Sequence, residues 1–454
     1  VSPTTVAAVD NTLDYMDQAS FLGLRALGHA PVIQWTWIYH RDVDLDGLRR
    51  FHHNLGRGLL GRRIERSVLP FGRHRWITCR EPADIALAPE PMSGDDVQAW
   101  LDEQAGMPID PEHGPAWRLA LRPLISGGAV VTLVASHTVV DGVGLVIAVT
   151  EAATGITRDL DYPAAASRTK SQALREDSRA LVRDVPGMAK SLMAAARLAR
   201  KNRAEFVPKK PQTAAVKTEA AVGAESARTV IIPAVTVHVE IGQWDECAAR
   251  LGGTPNSLSL GFAARLGHRL GWLGDGGLVT FSVPVNERLP DDNRGNALSA
   301  VTLSADPRIV TSDLTGVRSA LKTALTDLAE TRNELLAALP LTPLIPRSAA
   351  QRVEGLVLKS RVIGSSHVGD LDPAANRPDG TDADSFSARM AECITSDHLR
   401  RVGGIFFPLV AGRVHGQVWI CIGFCNADGT TTREQLTEVA HGALADFGLS
   451  GTVE

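Results

Sequence analysis

Residues 130–142 read VVTLVASHTVVDG, and the order of residue types in that stretch decides how the chain is read. Val130 to Ala135 is an apolar, largely β-branched run that predicts a buried strand. It passes directly into polar Ser136-His137, and Asp141-Gly142 then opens the apolar run VGLVIAVTEAA, which predicts a buried helix. An imidazole at the end of a buried strand is held rigidly yet can face a channel. Its ordinary pKa near 6.5 suits it to take a proton at neutral pH. Asp141 can fold back and brace the loop through a charge-assisted bond to a cation elsewhere. Gly142 permits a tight turn and a close backbone approach to a substrate. By spacing alone, however, His-x-x-x-Asp-Gly is common, and a hydrogen-bonded loop histidine is the simpler account of it.

Upstream, Pro31 to Arg41 predicts a strand, and the leucine spacing from Asp44 to Arg66 predicts an amphipathic helix region. Trp76 to Cys79 reads as a strand and Asp95 to Gln104 as a helix. Trp117 to Leu124 and Ala129 to Ala135 read as strands joined at Ser126-Gly127-Gly128. Downstream, residues 164–227 change character, with many Ala, Lys and Arg residues and few large apolar ones. Lys170 to Glu205 predicts a helix interrupted near Pro186-Gly187, ending in the basic cluster Arg197, Arg200, Lys201 and Arg203, with Lys209-Lys210 beyond. Two accounts fit this stretch: a solvated linker, or a basic amphipathic patch that touches an anionic membrane or lipid. The second half then alternates strands and helices. Strands are expected at 235–241, 278–285, 300–304, 405–410 and 417–424, with Pro408 marking an edge or a bulge. A closing helix is expected from Thr432 to Phe447.

At 454 residues the chain suits two domains. The expected division is an N-terminal α/β domain over 1–165, a crossover over 166–227 and a C-terminal α/β domain over 228–454. Hydrophobic content of 44% supplies ample core, and a net charge of −4 gives no nucleic-acid footprint. Cys79, Cys247, Cys393, Cys421 and Cys425 are few and scattered, which fits a reducing compartment and core packing rather than zinc. No leader pattern or spanning apolar run is visible. The expected location is therefore cytoplasmic, with peripheral contact to the inner membrane face as the variant.

Three other motifs point to unrelated chemistry and fail on context. Gly56-Arg57-Gly58-Leu59-Leu60-Gly61 has dinucleotide-loop spacing, but a helical pattern precedes it, and only Glu81 stands where the ribose-binding acid belongs. His52-His53 lacks a following Asp-Gly. Asp446-Phe447-Gly448 ends the last helix, where Gly448 reads as a C-cap.

Ser136-His137-Thr138-Val139-Val140-Asp141-Gly142 resembles the signature of the His-x-x-x-Asp acyltransferase superfamily. That superfamily includes chloramphenicol acetyltransferase, nonribosomal peptide condensation domains, polyketide-associated acyltransferases and wax ester synthase/diacylglycerol acyltransferases. Many members carry two histidines. Here Ser136 takes the first position and His137 the catalytic second. Companion segments follow in the family's order: Pro115-Ala116-Trp117, Thr254-Pro255-Asn256-Ser257, Val283-Pro284-Val285-Asn286-Glu287-Arg288, Gly295-Asn296-Ala297-Leu298-Ser299 and Ser365-Ser366-His367-Val368-Gly369-Asp370. The last of these resembles a turn near the family's channel.

The resemblance implies two chloramphenicol acetyltransferase-like domains meeting at a V-shaped cleft, with an active-site tunnel and His137 at its middle. It also implies that Asp141 and Gly142 are structural, with Asp141 paired to Arg288 across the domains; the bland alternative for Arg288 is a surface arginine. His137 would serve as general base, with Ser136, Ser366 and Asn296 as oxyanion or substrate contacts. The implied reaction moves an acyl group from acyl-CoA or a phosphopantetheinyl carrier to an alcohol or amine, with no metal and no bound cofactor. The favoured acceptor is a lipid or glycolipid hydroxyl, and an acyl carrier protein is the candidate partner. Condensation on a carrier protein and a catalytically silent acyl-binding relative are the rival readings.

Overall fold

The computed structural model describes residues 10–79, 83–158, 160–203, 229–336, 338–350, 352, 361–406 and 408–454. Two sheets, each with its own hydrophobic core, carry the architecture.

In the first half, helix α1 (Tyr15–Leu27) precedes strand β1 (Val32–Tyr39) and helix α2 (Leu45–Leu55). The short strands β2 (Arg62–Glu65), β3 (Arg75–Thr78) and β4 (Ala86–Leu87) lead to helix α3 (Val97–Gly106). Then come β5 (Trp117–Pro123), β6 (Ala129–Ser136) and helix α4 (Gly142–Thr154). Every residue of β6 is buried, as expected of a strand covered on both faces. Helix α5 (Lys170–Arg203) crosses to the second half, where β7 (Thr229–Ile231), β8 (Ala234–Glu240), α6 (Ile241–Arg250) and α7 (Pro255–Arg269) follow. Next are β9 (Val279–Asn286), β10 (Leu298–Ala305), α8 (Thr315–Leu336), β11 (Val362–Asp370), β12 (Ser385–Ala391) and β13 (Cys393–Thr395). The chain closes with α9 (Ser396–Val402), β14 (Ile405–Phe406), β15 (Leu409–Val414), β16 (Gln417–Cys425), α10 (Arg433–Phe447) and β17 (Thr452–Val453).

The first sheet has the order β12-β1-β6-β5-β4 and the second β10-β9-β11-β15-β16-β8-β17. Strand β12 therefore comes from the second half of the sequence but pairs antiparallel with β1, from Val32 opposite Ala391 to Ile38 opposite Ser385. Phe386 on β12 sits edge-on to Trp35 of β1 and to Trp419 of β16, with centroids 5.1 and 5.4 Å away. One aromatic side chain thus packs against both sheets.

Several expectations need correction. The leucine pattern of 44–66 is helical only to Leu55; Arg62–Glu65 is a strand, with Arg62 and Ile64 alternating inward. Helix α5 runs through Pro186 without a break. Its Asp177 accepts from Ser67 Oγ and the Val68 N–H, and Asp184 accepts from Arg73, so tertiary contacts anchor the helix up to the turn before the proline. Residues 365–370 form the end of strand β11 rather than a turn, and β11 runs parallel to both β9 and β15. Pro408 falls in the break between β14 and β15. Lys209-Lys210 and Glu81 lie outside the described residues.

Candidate active site

His137 follows the last residue of β6, and its backbone N–H donates to Pro31 O at 3.2 Å. The loop after it ends at Asp141, which N-caps α4: Oδ1 accepts from Gly144 N at 2.6 Å. The other carboxylate oxygen reaches across to the second half of the chain. Oδ2 accepts from Arg288 Nη2 at 2.9 Å and from Ala297 N at 2.7 Å, and Asp141 N donates to Gly295 O at 2.8 Å. Arg288 also donates to the carbonyls of Asp292, Arg294 and Gly295. The β9–β10 connection is thereby tied into a compact loop and docked against the strand end that carries His137.

Asn296 lies on that loop and is buried. Its Oδ1 is 3.1 Å from His137 Nδ1, while its Nδ2 donates to Asp17 Oδ1 at 3.1 Å. Asp17, on α1, is wholly buried and also accepts from Gly295 N at 2.9 Å and Asn296 N at 2.6 Å. Because the amide nitrogen faces a carboxylate, the amide oxygen must face the ring, so Nδ1 carries the imidazole proton. Nε2 is left with its lone pair, the form a general base requires. Gly295 permits this approach: a Cβ there would lie 2.8 Å from Asp17 Oδ1 and 3.0 Å from Val139 O.

Burial pushes the Asp17 carboxyl up to about 6, against the pull of Arg62 and of the Gly295 and Asn296 donors. Arg62 is also wholly buried; it stacks over Trp76 at 4.2 Å, donates to Val139 O at 2.9 Å and donates to Asn293 O. Burial lowers its own pKa. An arginine and an aspartate, both without solvent, thus brace the two chain segments that flank His137.

The remaining candidate residues fall as follows. Ser136 is buried, and its Oγ accepts from Thr138 N at 3.3 Å inside the turn. Ser366 lies on β11, opposite Val410 of β15. That strand reaches the start of α4, since a Cβ on Gly142 would lie 3.6 Å from Val368 Cγ1. Ser257 serves the capping box of α7 with Thr254. In the glycine-rich segment 56–61, the N–H groups of Gly56, Arg57, Gly58 and Gly61 all donate to backbone carbonyls, so none is available to cradle a phosphate. Gly448 caps α10 in the left-handed conformation, and Asp446 is held by Arg265 and Arg269. No described helix is long and apolar enough to cross a membrane.

Sequence reasoning missed Asp17 and Arg62. A signal for Asp17 existed: Leu13, Asp17 and Phe21 are spaced by four, so an acid stands on the apolar stripe of α1, and all three are buried. Arg62 carries a weaker signal, its alternation with buried Ile64 in a four-residue strand.

No protein-family model matches the sequence, and no curated protein does. Solved structures do. The chain is similar to polyketide synthase associated protein 5 from Mycobacterium tuberculosis, with a TM-score of 0.55 and 13% identity over 97% of this chain and 99% of that one. It is similar also to the wax ester synthase/diacylglycerol acyltransferase from Marinobacter aquaeolei VT8, with a TM-score of 0.55 and 13% identity over 96% and 98% of the two chains. A third is the first condensation domain of the calcium-dependent antibiotic synthetase, with a TM-score of 0.56 and 14% identity over 96% of each. The chain has the two-lobed, chloramphenicol acetyltransferase-like α/β fold of these proteins.

Proposed function

We propose that the protein is an acyltransferase in which His137 acts as general base, moving an acyl group from a thioester to a hydroxyl. The observation that carries this reading is the hydrogen bond between His137 Nδ1 and Asn296 Oδ1, which leaves Nε2 basic at the end of a rigid strand. The acceptor hydroxyl gives its proton to Nε2 as its oxygen attacks the thioester carbonyl carbon. The tetrahedral intermediate then collapses, the carbon–sulfur bond breaks, and the proton passes from Nε2 to the departing thiolate. General-base catalysis of this kind contributes about 10²–10⁴-fold, so positioning and stabilisation of the oxyanion supply the remainder. Asp141, Gly142 and Arg288 hold the loop; Ser136, at the end of β6, and Ser366, on β11, are the hydroxyls assigned to the oxyanion or substrate.

A wax ester synthase/diacylglycerol acyltransferase among the similar structures favours an O-acyl product and a lipid or glycolipid acceptor. Helix α5 supports a location at the inner membrane face. Val182, Val185, Leu192 and Met193 are exposed along one side, with Arg179, Arg183 and Lys190 exposed beside them. The donor is acyl-CoA or a phosphopantetheinyl carrier. Condensation on a carrier protein is the second reading, favoured by the condensation domain of the same fold. The two halves of the reading are tested together by assaying the full chain and His137→Ala with acyl-CoAs and with acylated carrier protein, each against long-chain alcohols and glycolipids. Transfer that is lost in the alanine variant supports the base. Equal transfer by both proteins sinks it, and transfer from carrier alone selects condensation.

A further inference from the structure

Nothing about a histidine at a strand end dictates which ring nitrogen carries the proton, and in a free imidazole the two tautomers compete. We infer that Asp17 is a positioning residue that sets the tautomer of His137 through Asn296. The inference rests on the reading of His137 as general base, because only then does the choice of nitrogen matter to turnover.

The geometry is over-determined. Asp17 takes three hydrogen bonds from two consecutive residues: Gly295 N, Asn296 N and Asn296 Nδ2. The two backbone contacts fix where the Asn296 backbone lies, and the side-chain contact fixes which way its amide faces. An amide turned by 180° would set its oxygen against the carboxylate, turning a hydrogen bond into a repulsion, and would offer its NH2 to Nδ1, which accepts it only in the Nε2–H form. Asp17 is wholly buried, so solvent does not relieve that repulsion. The orientation of the amide therefore follows from the charge on Asp17. Arg62, wholly buried and the largest electrostatic pull on that carboxyl, favours the ionised form. Asp17 touches neither ring nor substrate position; it acts on the imidazole only through the amide.

A role confined to holding α1 against the 293–297 loop predicts lost stability and no change in the ring. The positioning role predicts a change in the ring itself. The test is a long-range proton–nitrogen correlation spectrum of the full-length chain labelled with 15N-histidine, near neutral pH, with His137 assigned by its absence in His137→Gln. In the parent, Nδ1 should have the shift of a protonated nitrogen and Nε2 that of a bare one. In Asp17→Leu no acceptor remains for Gly295 N, Asn296 N or Asn296 Nδ2, the lock on Asn296 is lost, and the population should move toward the Nε2–H form. Acyl transfer should then fall by about 10²-fold in kcat, the lower end of what a general base contributes, with KM little changed. Asn296→Ala keeps both backbone contacts to Asp17 and removes only the link, so it should shift the ring in the same way; it decides the matter if Asp17→Leu does not fold. A parent ring protonated on Nε2 overturns the inference, as does a folded Asn296→Ala, or a folded Asp17→Leu, that keeps the proton on Nδ1. The tautomer is read without turnover. A chain that transfers no acyl group but shows Nδ1–H refutes the acyltransferase reading while leaving the relay, and an active chain with Nε2–H does the reverse.

Discussion

Asp141, the N-cap of α4 beyond the first sheet's central strand, is paired with Arg288 of the second half at 2.9 Å, and both side chains are almost entirely buried, at 4% and 2% exposure. A buried pair of this kind adds little over a well-packed apolar one, but breaking it leaves an uncompensated charge and costs about 3–5 kcal/mol. Arg288→Ala should therefore lower the unfolding free energy by that order. It strips Asp141 of its cation and the carbonyls of Asp292, Arg294 and Gly295 of a shared donor. Urea denaturation with tryptophan fluorescence measures this, and an unchanged midpoint would refute the bridging role.

The same pair sets a steric limit on the turn into α4. A Cβ on Gly144 would lie 2.9 Å from Val140 Cγ2 and 3.0 Å from both Arg288 Nη2 and Asp141 Oδ1. Gly144→Ala should thus push the guanidinium away from the carboxylate, although alanine is the better helix former by about 1 kcal/mol. The expected result is a lower melting temperature and reduced acyl transfer. A rise in melting temperature would mean that helix propensity outweighs the clash.

His74 gives a pH dependence with a definite sign. Burial, reinforced by nearby Arg66, depresses its pKa to about 4, and its Nδ1 accepts from Ser67 N at 3.1 Å. A histidine with a depressed native pKa contributes stability that is present above 6.5 and lost as pH falls through about 4. The full swing is about 3 kcal/mol. Asp17 has the opposite sign: its carboxyl is raised to about 6, so its contribution is present at low pH and lost as pH rises through that value. The two slopes overlap, so the measurement is the difference between the parent and His74→Asn, whose amide oxygen can still accept from Ser67. Between pH 6.5 and 4 the parent should lose more stability than the variant. Parallel curves would show that His74 does not titrate there.

How much of this was legible beforehand depends on how local each signal is. β6 and α4 were read correctly because an unbroken apolar run and an Asp-Gly helix start are properties of adjacent residues. The Asp141–Arg288 pair came from a resemblance, not from any pattern linking residues 147 apart. Strand β12 left no clear trace: in SFSARMA the buried positions include Arg389, whose charge hides the strand until its partners are known. The helix expected to continue to Arg66 failed for a related reason. Leu59 and Ile64 are core residues at nearly helical spacing, yet they reach the core from a turn and a strand. Asp17 and Arg62 left only their positions among apolar residues as a signal, because a buried charge makes sense only beside the groups that offset its desolvation.

Arg389 yields the last prediction. Its Nε donates to Gln34 Oε1 at 2.7 Å and its Nη2 to Asp102 Oδ1 at 2.8 Å, while Asp102 also pairs with Arg433 at the start of α10. Gln34 is wholly buried and spends its own amide N–H groups on Leu101 O and Thr132 Oγ1. One arginine thus clasps β12 to β1 and to α3, while the carboxylate it holds ties α3 to the second half. Arg389→Ala leaves the buried Gln34 acceptor without its partner, at a cost of about 1–3 kcal/mol, and removes one of the two cations of Asp102. The loss should be local before it is global. Backbone amides exchanged between β1 and β12 should lose hydrogen-exchange protection ahead of those between β5 and β6, which share the sheet but not the clasp. Uniform deprotection of all four strands would show instead that the sheet opens as one unit, and that Arg389 contributes only to the total.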